Sequence, residues 1–290
     1  DTIHTMQRRQ AWLREEQIEC EAEPLAFVGS ARINDDPHGV GREMRRIVGL
    51  DDGLAERIRT WREAVGELGR AIEELGVIPV INGVVGNNTH RKLNVEEFRG
   101  FALADDYAPL VFVNGADAKS AQIFTLAHEL AHIWLGQSAL TDVGLIARAA
   151  QEIESWCDKA AAEFLVPEQQ LKALWRDVRH EASPFEALAR RFKVSPIVIG
   201  RRAMDLRLVS REAFFSFYEE YIARERSQRS DSGGGDFYNN QNTRVGERFA
   251  LQVIRAAKEG RVSFAEAYDL TGLRGGAFQE YAGRLGVNLP

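Results

Sequence analysis

The chain has only two cysteines, Cys20 and Cys157, in 290 residues. That excludes a disulfide framework and makes a reducing compartment, the cytoplasm, the expected location. Long apolar runs are also missing: none exceeds about six residues, as in Ala108–Val113, against the roughly 20 that a membrane helix needs. A membrane-spanning helix is therefore excluded, and no secretory leader is expected. Neither sign of charge dominates, since 37 Lys+Arg face 43 Asp+Glu for a formal net charge of −6. This balance argues against a protein that coats nucleic acid, although a local basic reading head remains compatible with it. Internal repeats are absent, and so is a phosphate-cradling glycine loop. The triple glycine at 233–235 has no strand before it and no helix after it. What is present is ordinary globular composition, 44% hydrophobic and 28% charged, which excludes wholesale disorder. At about 150 residues per domain, the length predicts about two domains.

Periodicity divides the chain further. Residues 1–23 are charged and read as a connector from something upstream, in keeping with a first residue that is Asp1. Apolar positions at Leu54, Ile58, Trp61, Val65, Leu68 and Ile72 recur at helical spacing. Residues 77–114 predict a small antiparallel sheet of three strands, with Val77–Ile81 and Ala108–Asn114 its clearest members. Helices are expected over Lys119–Leu135, Leu145–Val166, Pro167–Val178, Pro184–Phe192, 195–209 and 210–226. Residues 224–242 are rich in Ser, Gly, Asn and charge and read as a linker. Residues 243–290 regain helical spacing and form a small C-terminal module, either a partner-binding or dimerising unit or a cap on the fold.

The most informative stretch is His128-Glu-Leu-Ala-His132, inside the expected helix Lys119–Leu135. A spacing of four puts both imidazoles on one face, one turn apart. Two ring nitrogens can then reach one zinc ion, while Glu129, one step round the helix, can take a proton from water. The flanks Phe124, Leu126, Ala127, Leu130, Ala131, Ile133 and Trp134 are apolar nearly all round, so the helix is expected to be buried. Buried histidines and a glutamate are costly unless paired or metallated. A catalytic zinc also needs a third protein ligand. The motif that extends to a glycine and a third histidine fails here, because those places hold Leu135 and Ser138. The acids that follow are Asp142, Glu152, Glu154, Asp158 and Glu163. Glu154 and Asp158 lie one turn apart on a helix that otherwise reads as core, which suits a ligand and an acid orienting a ligand histidine.

Phe124-Thr-Leu-Ala-His-Glu-Leu-Ala-His132, followed by Glu154-x-x-Cys-Asp-x-Ala-Ala-Ala-Glu-Phe-Leu-Val-Pro167, resembles the ImmA/IrrE family of zinc metallopeptidases. The segments Phe98–Leu103 and Ala108–Asn114 resemble it too. The resemblance covers roughly residues 75–170. It implies zinc as cofactor, His128, His132 and Glu154 as its ligands, Glu129 as general base, and Cys157 as a small buried neighbour rather than a ligand. It further implies a zincin-like fold and a helix-turn-helix repressor as protein substrate, cleaved in trans or within the same chain. Longer members carry a fused N-terminal helix-turn-helix, and some are encoded beside a toxin. The expectation follows of DNA contact through such an upstream domain, and of a toxin as partner. Tyr107, His90 and Arg99 are the candidates for stabilising an oxyanion, and the strand at 110–114 is a candidate to pair with an extended substrate.

Residues 184–209 hold six bases (Arg190, Arg191, Lys193, Arg201, Arg202, Arg207) and two acids (Glu186, Asp205). Ala189 in a first helix, Val194 in a turn, then Ser195-Pro196 opening a second, resemble a helix-turn-helix. Arg201 and Arg202 are its candidate nucleic-acid contacts; the other reading makes this unit part of the scaffold. The expected architecture is α+β. It comprises a connector at 1–23, a zincin-like domain with a small antiparallel sheet at 24–180, and a helix-turn-helix-like extension at 181–223. A linker at 224–242 and a helical module at 243–290 complete it. The expected function is zinc-dependent endopeptidase action that regulates transcription. The alternative is a regulator or antitoxin acting by binding DNA and a toxin, with a structural or vestigial zinc site. A homodimer fits either reading, and a membrane partner fits neither.

Overall fold

The computed structural model describes residues 2–50, 58–138, 147–228 and 237–289. Helix α1 spans Thr2–Glu19, α2 Pro37–Val48 and α3 Trp61–Glu74. Strands β1 (Ile78–Asn82), β2 (Val84–Val85), β3 (Asn88–Lys92), β4 (Gly100–Leu103) and β5 (Leu110–Asn114) follow. Then come α4 (Lys119–Trp134), α5 (Ala147–Leu165), α6 (Glu168–Val178), α7 (Pro184–Phe192), α8 (Pro196–Asp205) and α9 (Arg211–Gln228). The C-terminal helices are α10 (Phe237–Val245), α11 (Glu247–Lys258), α12 (Phe264–Thr271) and α13 (Gly275–Arg284). The fold is mainly helical α+β.

Local chemistry sets many of the ends. Asp36 accepts hydrogen bonds from the His38 and Gly39 amides to open α2, and Gly49, at φ 76°, closes it in the left-handed region that favours glycine. Thr60 and Glu63 form a capping box on α3. The segment 224–242, read as a linker, is helical at both margins: α9 runs on to Gln228 and α10 begins at Phe237. The glycine-rich remainder, 229–236, lies outside the described residues.

The sheet order is β1-β5-β4, and β2 and β3 form a separate antiparallel pair. β4 and β5 are antiparallel as expected, but β1 and β5 run parallel, so the sheet is mixed. The reason is topological, since a chain that leaves β1 and passes through the β2–β3 pair and β4 enters β5 in the original direction. Both faces of the sheet are covered. Val77, Ile81, Ala102, Val111 and Val113 face a core built with α2, α3, α4, α5, α7 and α8. The alternate residues Ile78, Val80, Phe101, Leu103, Leu110 and Phe112 face a second core with α1 and α10 to α13. This explains why the strands read as unbroken apolar runs instead of alternating ones.

The charged N-terminal segment joins that second core. Met6 and Leu13 are buried, and Gln10 donates to the carbonyls of Leu103 and Ala108 at 2.9 and 3.1 Å. Arg9, also buried, donates to the carbonyls of Leu270 and Arg244, both 2.9 Å away, near the C-termini of α12 and α10. Those helix ends carry partial negative charge, which offsets the cost of burying a guanidinium. Burial and the neighbouring Arg8 lower its pKa to about 10. Helix α1 is therefore packed onto this core, and α10 to α13 form a layer on the sheet. No described helix is long and apolar enough to cross a membrane.

Candidate metal centre

Helix α4 contains no proline or glycine and stops at Leu135 and Gly136, the latter at φ 67°. It is buried on most of its surface, with Glu129 6% and His132 2% exposed. Within it His128 and His132 present their Nε2 atoms to each other at 3.3 Å. Glu154, from the middle of α5, lies 3.0 Å from His128 Nε2 through Oε2 and 3.4 Å from His132 Nε2 through Oε1. One atom from each of these three residues lies within 4.8 Å of the others. Two imidazole nitrogens and one carboxylate oxygen form a donor set that fits a single zinc ion with a fourth position left for water or substrate.

Asp158, one turn after Glu154, sits 3.0 Å from His128 Nδ1. With one proton held there, loss of the other from Nε2 would free that nitrogen's lone pair for an ion at the centre. His132 Nδ1 and Glu129 Oε2 are buried without a hydrogen-bond partner. The other acids considered as ligands go elsewhere. Glu152 pairs with Arg148 at 3.4 Å, Glu163 turns away to Arg202, and Asp142 lies outside the described residues. Cys157 is fully buried, and burial and the charge of Glu154 push its thiol pKa well up, which keeps it a neutral neighbour.

Electrostatics sharpen the picture. Burial pulls the His128 imidazole down, but the hydrogen bonds to Asp158 and Glu154 and the charge of Glu129 outweigh it and push it up to about 10. Hydrogen bonds from His128 and His132 hold Glu154 far below the usual carboxylate range. Burial raises Glu129 to about 7 against the opposing pull of the two histidines. In the metal-free protein His128 thus keeps its proton at neutral pH, and an incoming cation has to displace it. Zinc uptake near pH 7.5 is expected to release about one proton, with affinity rising about tenfold per pH unit from 7 to 9. Calorimetry in buffers of different ionisation enthalpy measures this directly, and a pH-independent affinity would contradict it.

Other sequence readings fare differently. β5 lies between β1 and β4, so both its edges are occupied and the strand at 110–114 cannot accept a substrate strand. Among the described residues the outer edge of β4 is unpaired in the sheet. Of the oxyanion candidates, His90 is exposed on β3, Arg99 faces Asp117 at 3.8 Å, and the Tyr107 amide donates to Asp105. In the helix-turn-helix-like unit, Ala189 and Val194 are buried and Ser195 caps α8, as expected. Arg202 corrects the nucleic-acid reading. It is 1% exposed and locked against Glu163, the Val166 carbonyl and His38, so it cannot meet a phosphate. Arg201 is exposed and pairs with Asp205 one turn on. His38 is a half-buried part of the Arg202 cluster.

One residue beside the centre, Gly100, had no role in the sequence reading. Gly100 of β4 abuts Thr125 and Glu129, close enough that a Cβ would collide with both. A glycine inside a strand is the available signal for such close approach.

Residues 88–204, which include the whole cluster, match the family model Peptidase_M78, the IrrE N-terminal-like domain. Residues 245–284 match a domain of unknown function, DUF8813. A solved structure of a Mycobacterium tuberculosis transcriptional regulator is similar at 17% identity and a TM-score of 0.33. That likeness covers 58% of this chain and 46% of the other, so the chain spans less than half the length of the regulator it matches. No curated protein matches the chain.

Proposed function

We propose that this chain, whose residues 88–204 match the IrrE N-terminal-like domain, is a zinc-dependent endopeptidase of the ImmA/IrrE type that cleaves a helix-turn-helix repressor and thereby regulates transcription. The observation that carries this reading is the convergence of His128, His132 and Glu154 beside a buried carboxylate, Glu129, that ligates nothing. A purely structural metal site would have no use for that carboxylate.

His128, His132 and Glu154 would hold the ion, which when bound lowers the pKa of a water molecule and polarises a scissile carbonyl. Glu129, buried beside the three ligand residues, takes the proton of the attacking water and hands it to the leaving amine. Asp158 accepts from His128 Nδ1 and fixes the ring. An extended substrate would pair with the outer edge of β4, the strand that lies against Glu129.

The test is co-expression with the repressor encoded nearest to this chain. The expected result is a zinc-dependent cut that 1,10-phenanthroline prevents. An intact repressor in the presence of zinc-loaded protein, with DNA or toxin binding instead, would favour the antitoxin reading.

A further inference from the structure

Gly100 lies in β4, opposite Val113 of β5, and its backbone is not left-handed. Glycine is needed there for a different reason. A Cβ on Gly100 would stand 2.5 Å from Thr125 Cγ2, 2.7 Å from the Phe112 carbonyl oxygen and 2.9 Å from Glu129 Oε1. Thr125 and Glu129 are one turn apart on α4 and form the ridge on which β4 rests. The Glu129 carboxylate is thus wedged under the strand, one oxygen against Gly100 and the other, Oε2, buried without a partner.

We infer that Gly100 is a positioning residue: the missing side chain sets how deep the Glu129 carboxylate sits beside the three ligand residues. The inference rests on the peptidase reading of this centre. Gly100 has no side chain to offer a metal or a reacting bond, and its effect on the centre runs through Glu129. A packing role alone would make it equivalent to Gly83, where a Cβ would meet the Ala116 amide nitrogen at 2.7 Å and the Gly115 carbonyl carbon at 3.0 Å, with Glu129 not among its neighbours.

The probe is acetohydroxamic acid, which chelates a zinc ion through its two oxygens and passes its hydroxyl proton to an adjacent carboxylate. Its affinity for the zinc-loaded full chain is measured by calorimetry, alongside zinc affinity and the unfolding temperature. Gly100→Ala is expected to weaken the hydroxamate about tenfold, the worth of one charge-assisted hydrogen bond. Zinc affinity should stay unchanged, and Gly83→Ala should lose stability without losing hydroxamate affinity. If Gly100→Ala does not fold, the double variant Gly100→Ala/Thr125→Ser removes the tightest contact and is compared with Thr125→Ser. Hydroxamate affinity within twofold of the parent protein overturns the inference. A wild type that binds zinc yet cuts no repressor refutes the peptidase reading while leaving this comparison decisive. A wild type that binds no zinc refutes both.

Discussion

Glu129→Gln is expected to take up zinc as the wild type does and to lose cleavage by a factor of about 10²–10⁴. The substitution keeps shape and volume, so the ridge beneath β4 stays filled. Glutamine cannot accept the proton of an attacking water, and the other described acids at the centre are engaged: Asp158 with His128 Nδ1 and Glu154 with the two Nε2 atoms. A second readout separates lost chemistry from lost structure. Burial holds the Glu129 proton until about pH 7, whereas the unfolded chain gives it up near 4.5. The protonated group therefore favours the folded state fully below 4.5, and that contribution disappears as pH rises through 7. Above pH 7 the metal-free wild type carries a buried charge, offset only in part by the two histidines, that the variant lacks. Metal-free Glu129→Gln should then unfold at a higher temperature than wild type at pH 8, and at the same temperature at pH 5. An inactive variant that is also less stable at pH 8 would place Glu129 in the framework instead of the reaction.

How much of this was written in the sequence depends on how local the signal is. The spacing of His128 and His132 is a property of one helix, and the apolar flanks announced its burial. Glu154 and Asp158 could be singled out because they share a face of the next helix, and the structure brings both to the histidines. Non-local facts were harder to read. The parallel pairing of β1 with β5 follows from a path through three intervening strands, which no periodicity records. Arg9 and Arg202 belong to charge-rich stretches, and charge runs usually mean a solvated face. Their burial depends on carbonyls and a carboxylate far away in sequence, at Leu270 and Arg244 for one and Glu163 for the other. The same holds for α1, whose apolar positions are few but land on a sheet formed much later in the chain. Gly100 was legible in principle, as a glycine amid strand residues, although its contact with α4 was not.

Arg202→Ala is expected to cost about 3–5 kcal/mol of folding stability. Arg202 and Glu163 are 1% and 2% exposed and face each other directly, with Arg202 also donating to the Val166 carbonyl at 3.3 Å. Removing the guanidinium leaves a carboxylate stranded in the core, with Arg42 Nη1 at 3.5 Å its remaining cation from the surface side. Replacing both partners, as in Arg202→Met/Glu163→Leu, should recover most of the loss, because the cost lies in an uncompensated charge and not in the absence of the pair. Urea unfolding of the two single variants and the double gives the coupling directly. The pH dependence adds a sign. Burial and the charge of Arg202 lower the pKa of His38, whose ring lies 3.3 Å from the guanidinium. A depressed histidine contributes stability above its unfolded value of 6.5 and loses it as pH falls through the folded value. Wild type should therefore weaken below pH 6.5, and Arg202→Met/Glu163→Leu should weaken less steeply, since the opposing cation is gone. Helix α5 carries Glu154 and Asp158 on one face and Glu163 two turns on from Glu154, so a loosened α5–α8 contact should also lower zinc affinity. A variant with unchanged stability but weaker DNA binding would instead return Arg202 to the surface and to the nucleic-acid role its burial excludes.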